Sequence, residues 1–255
     1  MSGLRIDNVS LHYGARPILR GLTLPDLRAG EVTVLAGPNA AGKSTLLRAI
    51  AQLAPYRGQI TLDGEDLARM PIRRRARLIG VMPQALPSGS SLVVLESVIA
   101  ALRAGSDAFA AQTDAQAMAV LERLGIADLA MEPLDQLSGG QRQMVSLAQA
   151  IVRDPRVLLL DEPTSALDLA RQVRLLRELR ALAAEGRIVV AVLHDLGLAA
   201  QWADRIVMLH RGHLHAHGQP ATVLTPDLLA QVYGVRARVE RCSQGRITVL
   251  IDAEV

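Results

Sequence analysis

The sequence predicts an α/β fold: a mainly parallel sheet with helices, an antiparallel β subdomain and an inserted α-helical subdomain. Three observations predict it. Residues 37–45 read Gly-Pro-Asn-Ala-Ala-Gly-Lys-Ser-Thr and match the phosphate-binding spacing G-x-x-x-x-G-K-[ST]. An apolar run, 32–36, leads into them and a helix-compatible segment, 45–51, leads out. The runs 157–160 and 188–193 are apolar throughout, as expected of strands buried on both faces. Helices falling between strands argue for a parallel sheet.

Taken in order, Leu4, Ile6, Val9, Leu11 and Tyr13 alternate with polar residues and predict a strand with a slip near Asp7-Asn8. A turn at 14–17 leads to a second strand over 18–24. A third, 59–62, ends in Asp63-Gly64. These three predict a small antiparallel sheet beside the phosphate loop. A short buried strand over 78–82 stops at Pro83-Gln84, and 87–91 is loop-like. Helical spacing follows at 92–104 and 113–124, and a helix at 140–152 closes the insertion. A strong helix spans 171–184 and is stopped by Gly186. The segments 206–209 and 213–217 flank Arg211-Gly212 as a hairpin. The tail predicts a short helix near 226–232 and a weak strand pair near 236–251. The domain boundaries that follow are 1–84, 85–153, 154–220 and 221–255: β subdomain with the first part of the core, helical subdomain, second part of the core, and a short extension.

The 255 residues are half hydrophobic, enough for one large α/β core. Aromatics are 2%, so Leu, Val, Ile and Ala must build it. A formal charge of +3 is too weak to argue for nucleic acid. The cluster Arg73, Arg74, Arg75 and Arg77 reads as a solvated helix face. Cys242 is the only cysteine, which excludes a disulfide framework within the chain and fits a reducing setting. The N-terminus has no apolar signal core, and no apolar run reaches membrane-spanning length. A membrane role would therefore go through partner chains.

Backbone N–H groups of the loop and the following helix N-terminus make an anion site. Gly37 and Gly42 allow a tight turn and close approach to phosphate. Lys43 would reach the β- and γ-phosphates, and Ser44 would hold Mg²⁺. Leu137-Ser138-Gly139-Gly140-Gln141 opens a predicted helix and offers a second anion site. One nucleotide does not need two cradles: either there are two ligands, or this one serves the nucleotide of another copy. The strand 157–160 delivers Asp161 and Glu162 at its C-terminal end, where α/β sites lie. Asp161 suits the Mg²⁺ shell, and Glu162 suits a base that polarises the attacking water.

With these motifs in this order, residues from about 4 to 220 resemble the ATP-binding subunit of an ABC transporter, a P-loop NTPase with a RecA-like core. The loop made of Gly37, Pro38, Asn39, Ala40, Ala41, Gly42, Lys43, Ser44 and Thr45 is its Walker A motif. Gln84 matches the Q-loop glutamine, 137–141 the signature, 158–162 Walker B, Ser165-Ala166-Leu167-Asp168 the D-loop and His194 the switch histidine. Tyr13 falls where the family places an aromatic that stacks on adenine. The resemblance implies a head-to-tail dimer that sandwiches two ATP. Ser44, Gln84 and Asp161 would surround Mg²⁺. Ser138, Gly139, Gly140, Gln141 and Asp168 would act in trans from the second copy. Glu162 would activate water, with His194 and Gln84 completing the catalytic set.

Two transmembrane permease subunits and, indirectly, a substrate-binding protein are the implied partners, at the cytoplasmic face of the cell membrane. No nucleic acid is implied. The tail 231–239 and the run 146–150 through Asp168 resemble ATPases of iron-siderophore, haem and cobalamin importers, which points to uptake of a metal chelate. The alternatives are an importer of zinc or of amino acids, and a soluble ABC ATPase acting on DNA or ribosomes. The chain departs from the family at Ala40, where Gly is common and where Ala fits if the local φ is negative, and at Gln149, where Arg is frequent. His210, His213, His215 and His217 cluster on the hairpin. Three of them alternate onto one face and could bind a metal, although a solvent-facing strand is the plainer reading.

Overall fold

The computed structural model describes residues 3–84, 92–104 and 110–255. The loop-like run 87–91 lies outside them. The chain forms two compact units, one of Met1–Arg69 with Ile188–Val255 and one of Met70–Arg187. In chain order the elements are β1 (Gly3–Tyr13), β2 (Arg16–Leu22), β3 (Leu27–Arg28), β4 (Val32–Ala36), α1 (Lys43–Ile50), β5 (Arg57–Leu62) and β6 (Glu65–Asp66). There follow α2 (Ile72–Leu78), β7 (Ile79–Met82), α3 (Val94–Arg103), α4 (Ala110–Leu124), α5 (Gly139–Ile151), β8 (Val157–Asp161) and α6 (Leu169–Ala184). The chain closes with β9 (Ile188–Val192), α7 (Leu196–Trp202), β10 (Arg205–His210), β11 (His213–Gly218), α8 (Pro220–Val223), α9 (Pro226–Tyr233), β12 (Val235–Arg241) and β13 (Ile247–Glu254).

In the first unit, β1 centres an antiparallel sheet ordered β2-β1-β5-β6, with β3 also paired to β1. Leu4, Ile6, Val9 and Leu11 are all buried. The phase change between Ile6 and Val9 is a register shift between Asp7 and Ser10 against β5, with Asn8 at φ 49°. The slip seen in the sequence is thus a bulge, which keeps both apolar pairs on the core side. β4 is buried along its whole length and lies parallel to β9 on one side and β10 on the other. β11 completes the hairpin on β10. Burying each of these Val, Leu and Ile side chains contributes about 2 kcal/mol. The tail forms α9, capped by Thr225 through the Leu228 N–H, and the antiparallel pair β12–β13. Two short helices, α7 and α8, were not legible in the sequence.

In the second unit, β7 and β8 pair in parallel, with Met82 opposite Leu160. Helices α3, α4 and α5 occupy the segment expected to be helical. α2 has no buried residue, in keeping with the solvated face expected of its arginines. Arg123 of α4 binds Glu178 of α6 at 2.5 Å and Glu185 at 2.6 Å, which ties the helical segment to α6. Among the described residues, no helix is long and apolar enough to cross a membrane.

Candidate active site: a phosphate loop and a strand-end carboxylate pair

The phosphate loop leaves the buried end of β4 and enters α1 at Lys43. Gly37 has φ 138°, and a Cβ there would lie 2.1 Å from the Leu209 carbonyl oxygen, so only glycine fits. Gly42 is the N-cap of α1 with φ 103°, a value only glycine takes readily. The first turn of α1 carries no acidic residue, and a helix N-terminus favours an anion. Lys43 is 5% exposed, and its ammonium donates to the carbonyls of Gly37 (2.7 Å) and Pro38 (2.8 Å). A phosphate oxygen is a stronger acceptor for that ammonium than either carbonyl.

Ala40 differs from the expectation. Its φ is 62°, not negative, so the family's usual glycine would be unstrained where this chain holds an alanine at a cost of about 1 kcal/mol. The loop tolerates it because Ala40 is exposed and α1 and β10–β11 hold both flanks; the Gly212 N–H donates to Ala41 O at 3.2 Å.

Beside the loop lies a cavity of about 650 Å³, lined among others by Arg16, Ile18, Arg20, Asn39, Arg211 and Val232. Arg16, Arg20 and Arg211 give its lining a positive charge. Tyr13, at the end of β1, is 45% exposed. The tail reaches the same loop: the Tyr233 phenol oxygen accepts the Gly37 N–H, and burial raises its pKa to about 12. His194 sits exposed just beyond β9, and Asp195 after it caps α7 through the N–H groups of Gly197 (2.7 Å) and Leu198 (3.0 Å).

In the second unit, the parallel register of β7 and β8 brings Gln84 and Glu162 together, with Gln84 Nε2 donating to Glu162 Oε2 at 2.9 Å. Glu162 has φ 53°, a strained value for a non-glycine residue that costs about 1–2 kcal/mol. Its carbonyl accepts the Ser165 hydroxyl (3.1 Å) and N–H (3.3 Å), which turns the chain back toward Asp168. Asp168 caps α6 through the Arg171 N–H at 2.8 Å.

Ser138 is the N-cap of α5. Its hydroxyl accepts the Gln141 N–H at 3.3 Å, and the Gln141 side chain accepts the Ser138 N–H at 2.8 Å, a reciprocal capping box. Gly139 and Gly140 pack on the D-loop: a Cβ on Gly140 would lie 3.1 Å from the Ala166 carbonyl oxygen and 3.3 Å from Leu167. Ser138 and Gly139 are exposed at the start of the helix.

Sequence reasoning missed two residues here. Gln143 is 6% exposed and binds both the Glu162 carbonyl and the D-loop. The available signal was an amide within the apolar stripe of α5 that includes Gly140, Met144, Leu147 and Ile151. Tyr233 gave no sequence signal of its loop contact. On the histidine hairpin, His213, His215 and His217 are exposed along β11, and no group of three or more His, Cys, Asp or Glu residues that could hold a metal ion occurs among the described residues. The His210 ring centroid is 5.9 Å from that of His215, and burial, then Arg211 and His215, hold the His210 pKa below its ordinary value.

The loop, the strand-end carboxylates and the fold define a P-loop nucleoside triphosphatase. Residues 20–165 match the family described as ABC transporter, more than half of the chain. The chain belongs to that family and is an ATP-binding, ATP-hydrolysing subunit of the ABC type. It is 41% identical over 235 residues to a hemin import ATP-binding protein of Rhodococcus jostii, covering 91% of this chain and 80% of the relative. It is 36% identical over 245 residues to an achromobactin transport ATP-binding protein of Dickeya dadantii, covering 94% and 90%. Among solved structures it resembles a metal-chelate type ABC transporter in an inward-facing conformation, with TM-score 0.82, 26% identity and coverage of 100% and 98%. It also resembles a dimeric bacterial ABC transporter cassette, with TM-score 0.76, 26% identity and coverage of 85% and 98%.

Proposed function

We propose that this chain powers uptake of a metal chelate, of the haem or iron-siderophore type, through membrane permease subunits, and that it works as a head-to-tail dimer on the cytoplasmic face. The observation that carries the substrate class is likeness to hemin and achromobactin transport ATPases across more than nine-tenths of the chain. Residues 37–45 hold the triphosphate and Tyr13 stacks on the base. Ser44, Asp161 and Gln84 offer hydroxyl, carboxylate and amide oxygens, the hard donors Mg²⁺ takes. When bound there, Mg²⁺ would neutralise charge on the phosphates of the nucleotide. Glu162, held by Gln84, takes the proton of the attacking water, and His194 orients it.

Ser138, Gly139 and Gly140 serve the nucleotide of the partner copy, where the α5 N-terminus stabilises charge that develops on the γ-phosphate. ATP must bind the closed dimer more tightly than the open one in order to move the permease between two states. The test is co-expression with candidate permease subunits, followed by reconstitution in vesicles. ATP-dependent accumulation of haem or a ferric siderophore supports the proposal. Co-purification with ribosomes or DNA, or transport of zinc or amino acids alone, overturns it.

A further inference from the structure

We propose that Gln143 is a positioning residue for Glu162, linking the signature end of α5 to the backbone that aims the catalytic carboxylate. The inference rests on the reading of Glu162 as the group that activates water. Glu162 stands at φ 53°, a conformation that glutamate does not hold unaided. What holds it is a short chain of hydrogen bonds. Gln143 Nε2 lies 2.9 Å from Ser165 Oγ, and that hydroxyl donates to the Glu162 carbonyl at 3.1 Å. The same amide nitrogen lies 3.4 Å from the Glu162 carbonyl itself. On its other side, Gln143 Oε1 accepts the Ala166 N–H at 3.3 Å. One buried amide thus grips both ends of the turn that leaves β8, using donors toward Glu162 and an acceptor toward Ala166.

The placement of Gln143 gives this grip a second consequence. It lies three residues after Gly140, one turn along the same helix, and Gly140 packs on Ala166 and Leu167. A shift of the α5 N-terminus on meeting a partner's nucleotide therefore moves Gln143 and, through it, the Glu162 carbonyl. Glu162 would then respond to what is bound at Ser138 and Gly139 of its own chain. A packed turn with two-sided hydrogen bonding transmits such a shift because neither bond can be kept unless the turn follows.

The test compares Gln143→Glu, Gln143→Leu and Gln116→Ala in the full chain. Gln143→Glu keeps the acceptor for Ala166 and loses the donors toward Ser165 and Glu162, whereas Gln143→Leu loses both. Gln116 Nε2 binds the Val152 carbonyl at the far end of α5, so Gln116→Ala loosens that helix without touching Glu162. We expect kcat for ATP hydrolysis to fall at least about tenfold in both Gln143 variants, with KM for ATP and the Kd of a non-hydrolysable analogue within about twofold of the parent. Gln116→Ala should hydrolyse at the parent rate. Parent-like kcat in Gln143→Glu, or an equal loss in Gln116→Ala, overturns the inference. If Glu162→Gln itself turns over at the parent rate, the reading of Glu162 fails instead, and the two failures are told apart in one assay series.

Discussion

Gln84 Nε2 and Glu162 Oε2 lie 2.9 Å apart although 78 residues separate them in the chain. Parallel pairing with Met82 opposite Leu160 requires it, since each residue stands two positions beyond its partnered strand residue. The bond presents Glu162 as an acceptor held by a neutral donor.

Replacing Glu162 by Gln should separate binding from chemistry. The amide oxygen of Gln still accepts from Gln84, so the turn survives, but it cannot take a proton. ATP binding should persist, kcat should fall by about 10³-fold, and an ATP-bound dimer should accumulate on size exclusion. Turnover near the parent value would remove Glu162 from the role of base.

Ser138→Arg should leave nucleotide binding intact and abolish hydrolysis. Loss of the N-cap costs about 1 kcal/mol, too little to unfold α5. A long cation at Ser138 would obstruct a partner's nucleotide. A mixture of Ser138→Arg with Glu162→Gln chains, assayed for ATPase, checks the trans reading. Retained activity in Ser138→Arg alone contradicts it.

Ala40→Gly should stabilise the protein. The gain from relieving φ 62° is about 1 kcal/mol, or a rise of about 2–4 °C in Tm. A lower Tm by calorimetry would show that the Ala40 methyl contributes more than its strain costs.

Lys43 is the only lysine in the chain, which makes its ammonium separately observable. Protein carrying lysine labelled with ¹³C at Cε alone should give one side-chain resonance, and Mg–ATP should shift it as phosphate displaces the carbonyls of Gly37 and Pro38. An unmoved signal at saturating nucleotide would exclude contact between Lys43 and the triphosphate.

Alkaline pH should loosen the tail. The folded Tyr233 phenol ionises near pH 12, whereas an unfolded tyrosine ionises near its ordinary 10.0. Between those values the unfolded chain has given up a proton that the folded chain keeps. Stability is therefore fully present below pH 10 and falls as pH rises toward 12, by at most about 3 kcal/mol. Tyr233→Phe should flatten that decline in denaturant titrations between pH 9 and 12. An unchanged slope would show that other groups cause it.

The sequence by itself determined most of the strands, the glycine-bearing turn between β4 and α1 and the place of Asp161 and Glu162 at the end of β8, while the two-residue strands β3 and β6 escaped it. Each depends on local rules: continuous apolar runs for β4, β8 and β9, a phase slip for the β1 bulge, and glycine spacing for the loop. α7 and α8 escaped because four to seven residues are too few to establish a helical period. Only the tertiary structure decided that Ala40 and Glu162 take positive φ, because neither side chain encodes the sign and the surrounding packing imposes it. It alone turned the Gln143 amide onto the Glu162 carbonyl and set Tyr233 against Gly37, since those contacts join elements 19 and 196 residues apart, where no local pattern reaches.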